Sequence, residues 1–381
     1  MHLTRLQLSN FRSWTELELD LDPGITLISG ANAAGKSNLV EAIYMLASLR
    51  STRAQTEGEL LRWDAPQPQV MRVAGTAQRD GESVEVEIAL AAREGGNAGD
   101  ARRRSGAPLT SKRIRLNGVA RRASDVLGAF RAAQFTTLDI ELLTGASALR
   151  RRYLDVVVGQ LQPSHAANLS RYQRALSQRN ALLKRIAEHQ AAESELAQWD
   201  DLLTTAAEPI WQARAEASQA LSRLAFHRHE ALRAPDDPAE ALSLTYVPAD
   251  RQSLRESRTR DLARGSTSVG PHRDELEINL GARPAANFAS RAQQRAVALS
   301  MRLAEADHLA AQSADSPILL LDDVFSELDP PRRERTAEAV SVVEQVILTT
   351  ADRSAIPFEA SGLAASLVIA DGQIEQERPQ H

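Results

Sequence analysis

Gly30-Ala31-Asn32-Ala33-Ala34-Gly35-Lys36-Ser37 lies between the apolar run Ile25 to Ser29 and a stretch with apolar residues at 39, 43 and 46. The surroundings read as strand, loop and helix, and the octapeptide satisfies G-x-x-x-x-G-K-[ST] in that setting. Each position has a chemical reason. The glycines let main-chain N–H groups wrap phosphate oxygens, with Ala31, Asn32, Ala33 and Ala34 as the rest of the cradle. Lys36 would reach the β and γ oxygens of a nucleoside triphosphate. The Ser37 hydroxyl would ligate Mg²⁺ at the positive end of the helix.

Working outward, Pro317-Ile318-Leu319-Leu320-Leu321-Asp322-Asp323 is a buried-strand run that ends in two acids. In a parallel sheet those carboxylates sit at the C-terminal edge, where ligands bind. Asp322 is expected to hold the Mg²⁺ shell through water. Asp323 is expected to orient the attacking water, because phosphoryl transfer needs positioning more than strong basicity. The catalytic assignment is therefore Lys36, Asp322 and Asp323.

Composition sets the remaining bounds. The 381 residues suit two structural units or one with an insertion. With 43% hydrophobic and 25% charged residues, and no apolar run of bilayer length, the chain reads as a cytoplasmic globular protein without a signal sequence. Zero cysteines exclude disulfides, a thiol nucleophile and thiolate zinc sites. A net charge of −5 confines any DNA contact to local patches.

Residues 2 to 8, 16 to 21, 70 to 77 and 83 to 91 alternate as strands, and Asn117-Gly118 marks a two-residue hairpin. Residues 94 to 111, with Arg102-Arg103-Arg104, read as a loop. From about 147 to 233 the composition turns to that of long helices. There Leu196, Trp199, Leu203, Ala206, Ile210, Ala213 and Ala217 form one seam, Leu169, Tyr172, Leu176, Leu183 and Ile186 another, and Pro209 is expected to kink or restart its helix. The division follows as residues 1–145, carrying the phosphate loop, 146–300, a helical arm, and 301–381, a return to the first core.

Further motifs carry a resemblance. Ser326-Glu327-Leu328-Asp329 resembles the D-loop of ABC ATPases, and Ala289-Ser290-Arg291-Ala292-Gln293-Gln294-Arg295 resembles their signature, with Arg291 and Ala292 where Leu-Ser-Gly-Gly-Gln has glycines. The long interval from Lys36 to Ser290 and the short one to Asp322 resemble SMC-like ATPases, in which an arm interrupts the head. Asn10-Phe11-Arg12-Ser13, Thr267-Ser268-Val269-Gly270-Pro271-His272-Arg273-Asp274-Glu275, and Leu142-Leu143-Thr144-Gly145 before Arg150-Arg151-Arg152-Tyr153-Leu154-Asp155 are similar to stretches of the RecF family. Thr137-Leu138-Asp139 stands where that family has Pro-Glu-Asp.

The resemblance implies an α/β fold, an ABC-type P-loop ATPase head of the Rad50/SMC kind with an inserted, mainly helical lobe. It implies ATP and Mg²⁺ as cofactors, Arg12 as a nucleotide contact, and Ser290 and Gln293 acting in trans on the nucleotide of a second subunit. It further implies slow, dimer-dependent ATP hydrolysis, binding to gapped duplex DNA at single-strand–double-strand junctions, RecR and RecO as partners, and roles in recombination, replication, repair and the SOS response on the nucleoid. Lys112, Arg113, Arg115, Arg121, Arg122, Arg150, Arg151 and Arg152 are candidate DNA-phosphate contacts. His272 could position a loop at the dimer interface, although a lone histidine is more often structural. Two alternatives stay open: another SMC- or Rad50-like ATPase, against which the absent cysteine hook and short arm weigh, and a nucleotide-gated DNA-binding scaffold with vestigial hydrolysis.

Overall fold

The computed structural model describes residues 1–92, 110–234, 237–249, 254–313, 315–370 and 372–376. Arg102, Arg103, Arg104 and most of the expected loop lie outside them. The chain forms two compact units, Met1–Asp139 with Ala231–Asp237 and Arg302–His381, and Ile140–Glu230 with Pro238–Met301.

The first unit opens with β1 (His2–Phe11), β2 (Trp14–Asp20), β3 (Gly24–Gly30), α1 (Lys36–Ser48), β4 (Val70–Arg79), β5 (Glu82–Ala92), β6 (Thr110–Leu116), β7 (Val119–Arg121), α2 (Ala123–Val126) and β8 (Ala132–Phe135). The second unit contributes α3 (Glu141–Thr144), α4 (Ser147–Leu161), α5 (Pro163–Ala187), α6 (Leu196–Leu232), β9 (Leu242–Val247), α7 (Arg258–Arg264), β10 (Glu275–Leu280), β11 (Arg283–Pro284), α8 (Ala285–Phe288) and the start of α9 (Arg291–Gln312). The first unit resumes within α9 and closes with β12 (Ile318–Asp322), α10 (Pro330–Ser341), β13 (Gln345–Thr350), β14 (Ala365–Ala370) and β15 (Gln373–Gln376).

Two sheets build the first unit. One is antiparallel in the order β2-β1-β4-β5-β6-β7, and the other runs β15-β14-β3-β13-β12-β8, parallel except for β15. The parallel strands are apolar on both faces, as a sheet covered on both sides requires: Ile318 to Leu321 and Val346 to Leu348 are fully buried. Helix α1 packs on strands of both sheets and is buried nearly all round. Gly75 on β4 admits it, because a Cβ there would collide with Leu46. The buried Gln345 amide stitches the sheets together, donating to the Leu3 carbonyl at 2.9 Å and accepting from the Leu3 N–H at 2.7 Å.

In the second unit α5 and α6 pack as an antiparallel hairpin. Leu182, Leu183 and Ile186 meet Leu196 at one end, while Tyr172 and Ala175 meet Leu203, Ala206 and Ile210 further along. Of the kink or restart expected at Pro209, the restart does not occur: α6 continues through it. Proline leaves the Thr205 carbonyl without its helical donor, yet Ala206, Ala207 and Ile210 are buried on either side and hold the helix in place. Charged pairs fix the rest of the lobe. Arg179, wholly buried, donates to Asp200 at 2.8 Å and Asp261 at 2.7 Å, and Arg214 is bidentate on Asp155 and reaches Asp274 at 2.9 Å. His272 belongs to this scaffold: its Nε2 donates to the Thr267 carbonyl at 3.1 Å, its Nδ1 is hydrogen-bonded with the Tyr172 hydroxyl at 2.6 Å, and burial lowers its pKa.

A buried triad anchors the return of the chain into the first unit. Arg302 donates to Asp139 and, at 2.7 Å, to Glu305, while Asp139 caps the turn after β8 by accepting from the Thr136 N–H at 2.6 Å. Burial, with Asp139 adding to it against the pull of Arg302, pushes the Glu305 carboxyl up to about 7. The folded protein therefore keeps a proton that the unfolded chain releases. This contribution to stability is complete below the ordinary glutamate range and is lost as pH rises through about 7. Urea midpoints should consequently fall between pH 5 and pH 8, and Glu305→Gln, which mimics the protonated acid, should flatten that part of the profile.

Candidate functional site

Strand register brings the phosphate loop and the two acids together. β13 lies between β3 and β12, with Thr349 opposite Ile28 on one side and Asp322 on the other. The loop leaving β3 and the carboxylates ending β12 consequently emerge at the same edge. A cleft of about 220 Å³ opens there, lined by Asn32, Ala33, Gly35, Lys36, Ser37, Asn38, Arg53, Asp322 and Asp323.

The loop's shape demands its glycines. Gly35 has φ +110°, and a Cβ on it would press on Ser13 and Trp14 at 3.1 and 3.2 Å; one on Gly30 would lie 2.7 Å from the Ile369 carbonyl oxygen. The Lys36 ammonium donates to the Gly30 and Ala31 carbonyls at 2.7 and 2.9 Å. Burial lowers its pKa, opposed by Asp323 and Asp322. The Ser37 hydroxyl donates to Asp322 Oδ1 at 3.1 Å. Asp323 takes a left-handed turn, φ +56°, which directs its carboxylate to the Ser326 hydroxyl at 2.5 Å. The D-loop ends as Asp329 caps α10 by accepting from the Arg332 N–H at 3.0 Å.

The donors suit Mg²⁺ and a phosphate chain. Ser37 and Asp322 offer oxygen donors in contact with each other, and no group of three His, Cys, Asp or Glu able to cage a metal occurs among the described residues. Such a sparse set fits an ion that keeps its waters and takes further ligands from phosphate.

In the second unit Ser290 and Gln293 form a capping box on α9. The Ser290 hydroxyl accepts from the Gln293 N–H at 3.2 Å, and the Ser290 N–H donates to the Gln293 side chain at 2.8 Å. Ser290, Arg291 and Ala292 are exposed.

The model of the RecF/RecN/SMC N-terminal domain matches residues 2–362. The DNA replication and repair protein RecF of Herpetosiphon aurantiacus is 41% identical over 367 residues, spanning 92% of this chain and 93% of the relative. The chain belongs to the RecF family. The RecF protein of Roseiflexus castenholzii is 36% identical over 376 residues, again 92% and 93% of the two chains. A solved structure of the recombination mediator protein RecF with ATP, in the RecFOR pathway, superposes with a TM-score of 0.83 at 27% identity, covering 99% of this chain and 98% of that one. An Smc head bound to the C-winged helix domain of ScpA gives 0.54 at 17% identity, covering 99% and 97%, and shows the shared fold. The fold is accordingly the ABC-type head of RecF and SMC proteins, α/β with a helical lobe.

Other expected site residues are differently placed. Arg12, itself left-handed at φ +53°, gives two donors to the buried Glu41 of α1, at 3.1 and 2.9 Å, and a third to the Glu59 carbonyl at 3.1 Å. Four DNA candidates are tied to internal acceptors. Lys112 bonds Glu57 at 2.7 Å and the Leu49 carbonyl at 2.6 Å; Arg115 bonds Glu87 at 3.2 Å. Arg150 forks onto Glu275 at 2.6 and 2.7 Å, and Arg151 donates to the Asp274 carbonyl at 2.6 Å. Their donors help to hold the fold. Arg113, Arg121, Arg122 and Arg152 are exposed.

Two residues at or behind the cleft were given no role from the sequence. Arg53 lines the cleft, held by Asn38 at 3.1 Å and Glu41 at 3.6 Å. Thr349, fully buried, donates its hydroxyl to Asp322 Oδ1 at 2.7 Å while accepting from the Asp323 N–H at 3.2 Å, so one side chain holds the Asp322 carboxylate and the Asp323 main chain. Only its place at the end of an apolar strand hinted at this. Thr349→Val should raise the Mg²⁺ concentration for half-maximal nucleotide turnover by about tenfold, the usual scale for losing a residue that orients a metal ligand. Thr349→Ser should stay near wild type in the same Mg²⁺ titration.

Proposed function

We propose that the chain is a DNA-binding ATPase of recombination whose ATP-bound form is a head-to-tail dimer on gapped duplex DNA. The observation that carries the reading is the single cleft holding Lys36, Ser37, Asp322 and Asp323, with Ser37 already bonded to Asp322. Lys36 would turn from the loop carbonyls to the β and γ phosphates. Ser37 would ligate Mg²⁺ directly and Asp322 through water, the ion neutralising charge as the terminal phosphoryl group transfers. Asp323, fixed by its left-handed turn and by Ser326, would hold the attacking water in line.

Completion by a second copy is supported by the exposed Ser290 at the N-terminus of a 22-residue helix, where a hydroxyl and main-chain amides suit phosphate oxygens. Arg291 and Ala292 restrict the close main-chain approach that glycines permit, so hydrolysis should be slow. Lys112, Arg113, Arg115, Arg121, Arg122, Arg150, Arg151 and Arg152 stay candidates for DNA phosphates, and Arg12 stays a candidate nucleotide contact if it exchanges Glu41 for the ligand. The resemblance of the chain to RecF proteins adds the biological setting: loading of recombinase with RecO and RecR during repair, replication and the SOS response, in the cytoplasm.

The coupling is testable by fluorescence anisotropy of a gapped duplex at fixed salt, because phosphate contacts weaken with ionic strength. Binding should tighten with ATP but not with ADP, and Lys36→Met should abolish the difference; binding indifferent to nucleotide would separate the cleft from DNA. Arg291 and Ala292 also favour a second reading, a nucleotide-gated scaffold without turnover. Asp323→Asn decides between them: its ATP turnover should fall at least about a hundredfold, and a rate equal to wild type would favour the scaffold.

A further inference from the structure

Both sheets of the first unit end in a strand with no neighbour on its outer side among the described residues, β2 in the antiparallel sheet and β15 in the parallel one. A groove of about 700 Å³ lies against β2 and is lined also by Gln7 to Ser9 of β1, Arg72 of β4, Leu367 of β14, and Gln373 and Ile374 of β15. β2 is a long edge, roughly 23 Å at 3.3 Å per residue. Its outer main-chain N–H and C=O groups are those that a further strand would pair.

Edge strands are normally blunted by a proline, a bulge or an inward charge. Trp14-Thr15-Glu16-Leu17-Glu18-Leu19-Asp20 has no proline, and its pairing with β1 runs without a register shift. What β2 does carry is one sign of charge. Glu16, Glu18, Asp20 and Asp22 line the groove against Arg72 alone, and Arg72 is turned to Glu87 at 2.7 Å. Arg5 offsets Glu18 and Asp20, which leaves Glu16 and Asp22 without a cationic partner among the described residues. Two copies of β2 would oppose carboxylate with carboxylate, and DNA would bring phosphates to the same rim. An extended chain rich in lysine or arginine meets both demands, with main-chain pairing for affinity and side-chain charge for choice.

We propose that this groove docks an extended basic segment of a partner protein, which adds a strand to the free edge of β2. The site shares no residue with the nucleotide cleft and does not depend on how that cleft works.

The test titrates the full chain into a fluorescein-labelled peptide of alternating lysine and valine, followed by anisotropy and by amide hydrogen exchange. The peptide should bind and slow exchange within Trp14–Asp20. A peptide of the same charge interrupted by prolines, and one of alternating glutamate and valine, should not. Glu16→Lys with Asp22→Lys should weaken binding at least about tenfold, with melting temperature and nucleotide affinity unchanged. Equal binding of the proline-interrupted peptide, unchanged affinity in the double variant, or protection confined to other strands would each overturn the proposal.

Discussion

The site depends on one register. β13 carries no phosphate ligand and no acid of the cleft, yet it sets the separation of the two strands that do, because Thr349 pairs with Ile28 on one flank and Asp322 on the other. Slipping a strand by one residue would turn every side chain to the opposite face. In this sheet such a slip would also carry the end of β12 about 3.3 Å along its neighbour and pull Asp322 away from the hydroxyls of Ser37 and Thr349, which converge on it in the observed register.

Around that register the molecule accepts local strain. Ala33, Gly35 and Asp323 have positive φ, and so do Asn10 and Arg12 in the hairpin beside α1. Non-glycine residues hold such angles only where their surroundings over-determine them. Here the Asp323 N–H is held by both the hydroxyl and the carbonyl of Thr349, and Arg12 by three acceptors. These constraints pre-position an acid and a guanidinium without help from a ligand, which suits a reaction that needs geometry more than reactivity.

The phosphate loop and the acidic strand end were legible because each is contiguous and each residue type has one chemical reason to be there. The helical lobe was legible from its 3.5-residue seam. What could not be read were interactions between distant residues. Thr349 reaches an acid 27 residues away, and Arg150 finds Glu275 across 125 residues. The internal bonds of Lys112, Arg115, Arg150 and Arg151 were hidden from the sequence in the same way. At Pro209 the restart that local propensity allows does not occur, because Ala206, Ala207 and Ile210 are packed against Tyr172 and Ala175 of α5.

In the proposed dimer each active site is built from two copies. Mixing Lys36→Met protein with Ser290→Arg protein tests it most directly, because each variant alone lacks half of every site. A head-to-tail dimer of the two contains one site with both halves intact. In an equimolar mixture, ATP turnover should recover to about a quarter of the wild-type rate, from random pairing in a symmetric dimer. Turnover no greater than the sum of the two inactive proteins would contradict a shared site and place all of the chemistry within one chain.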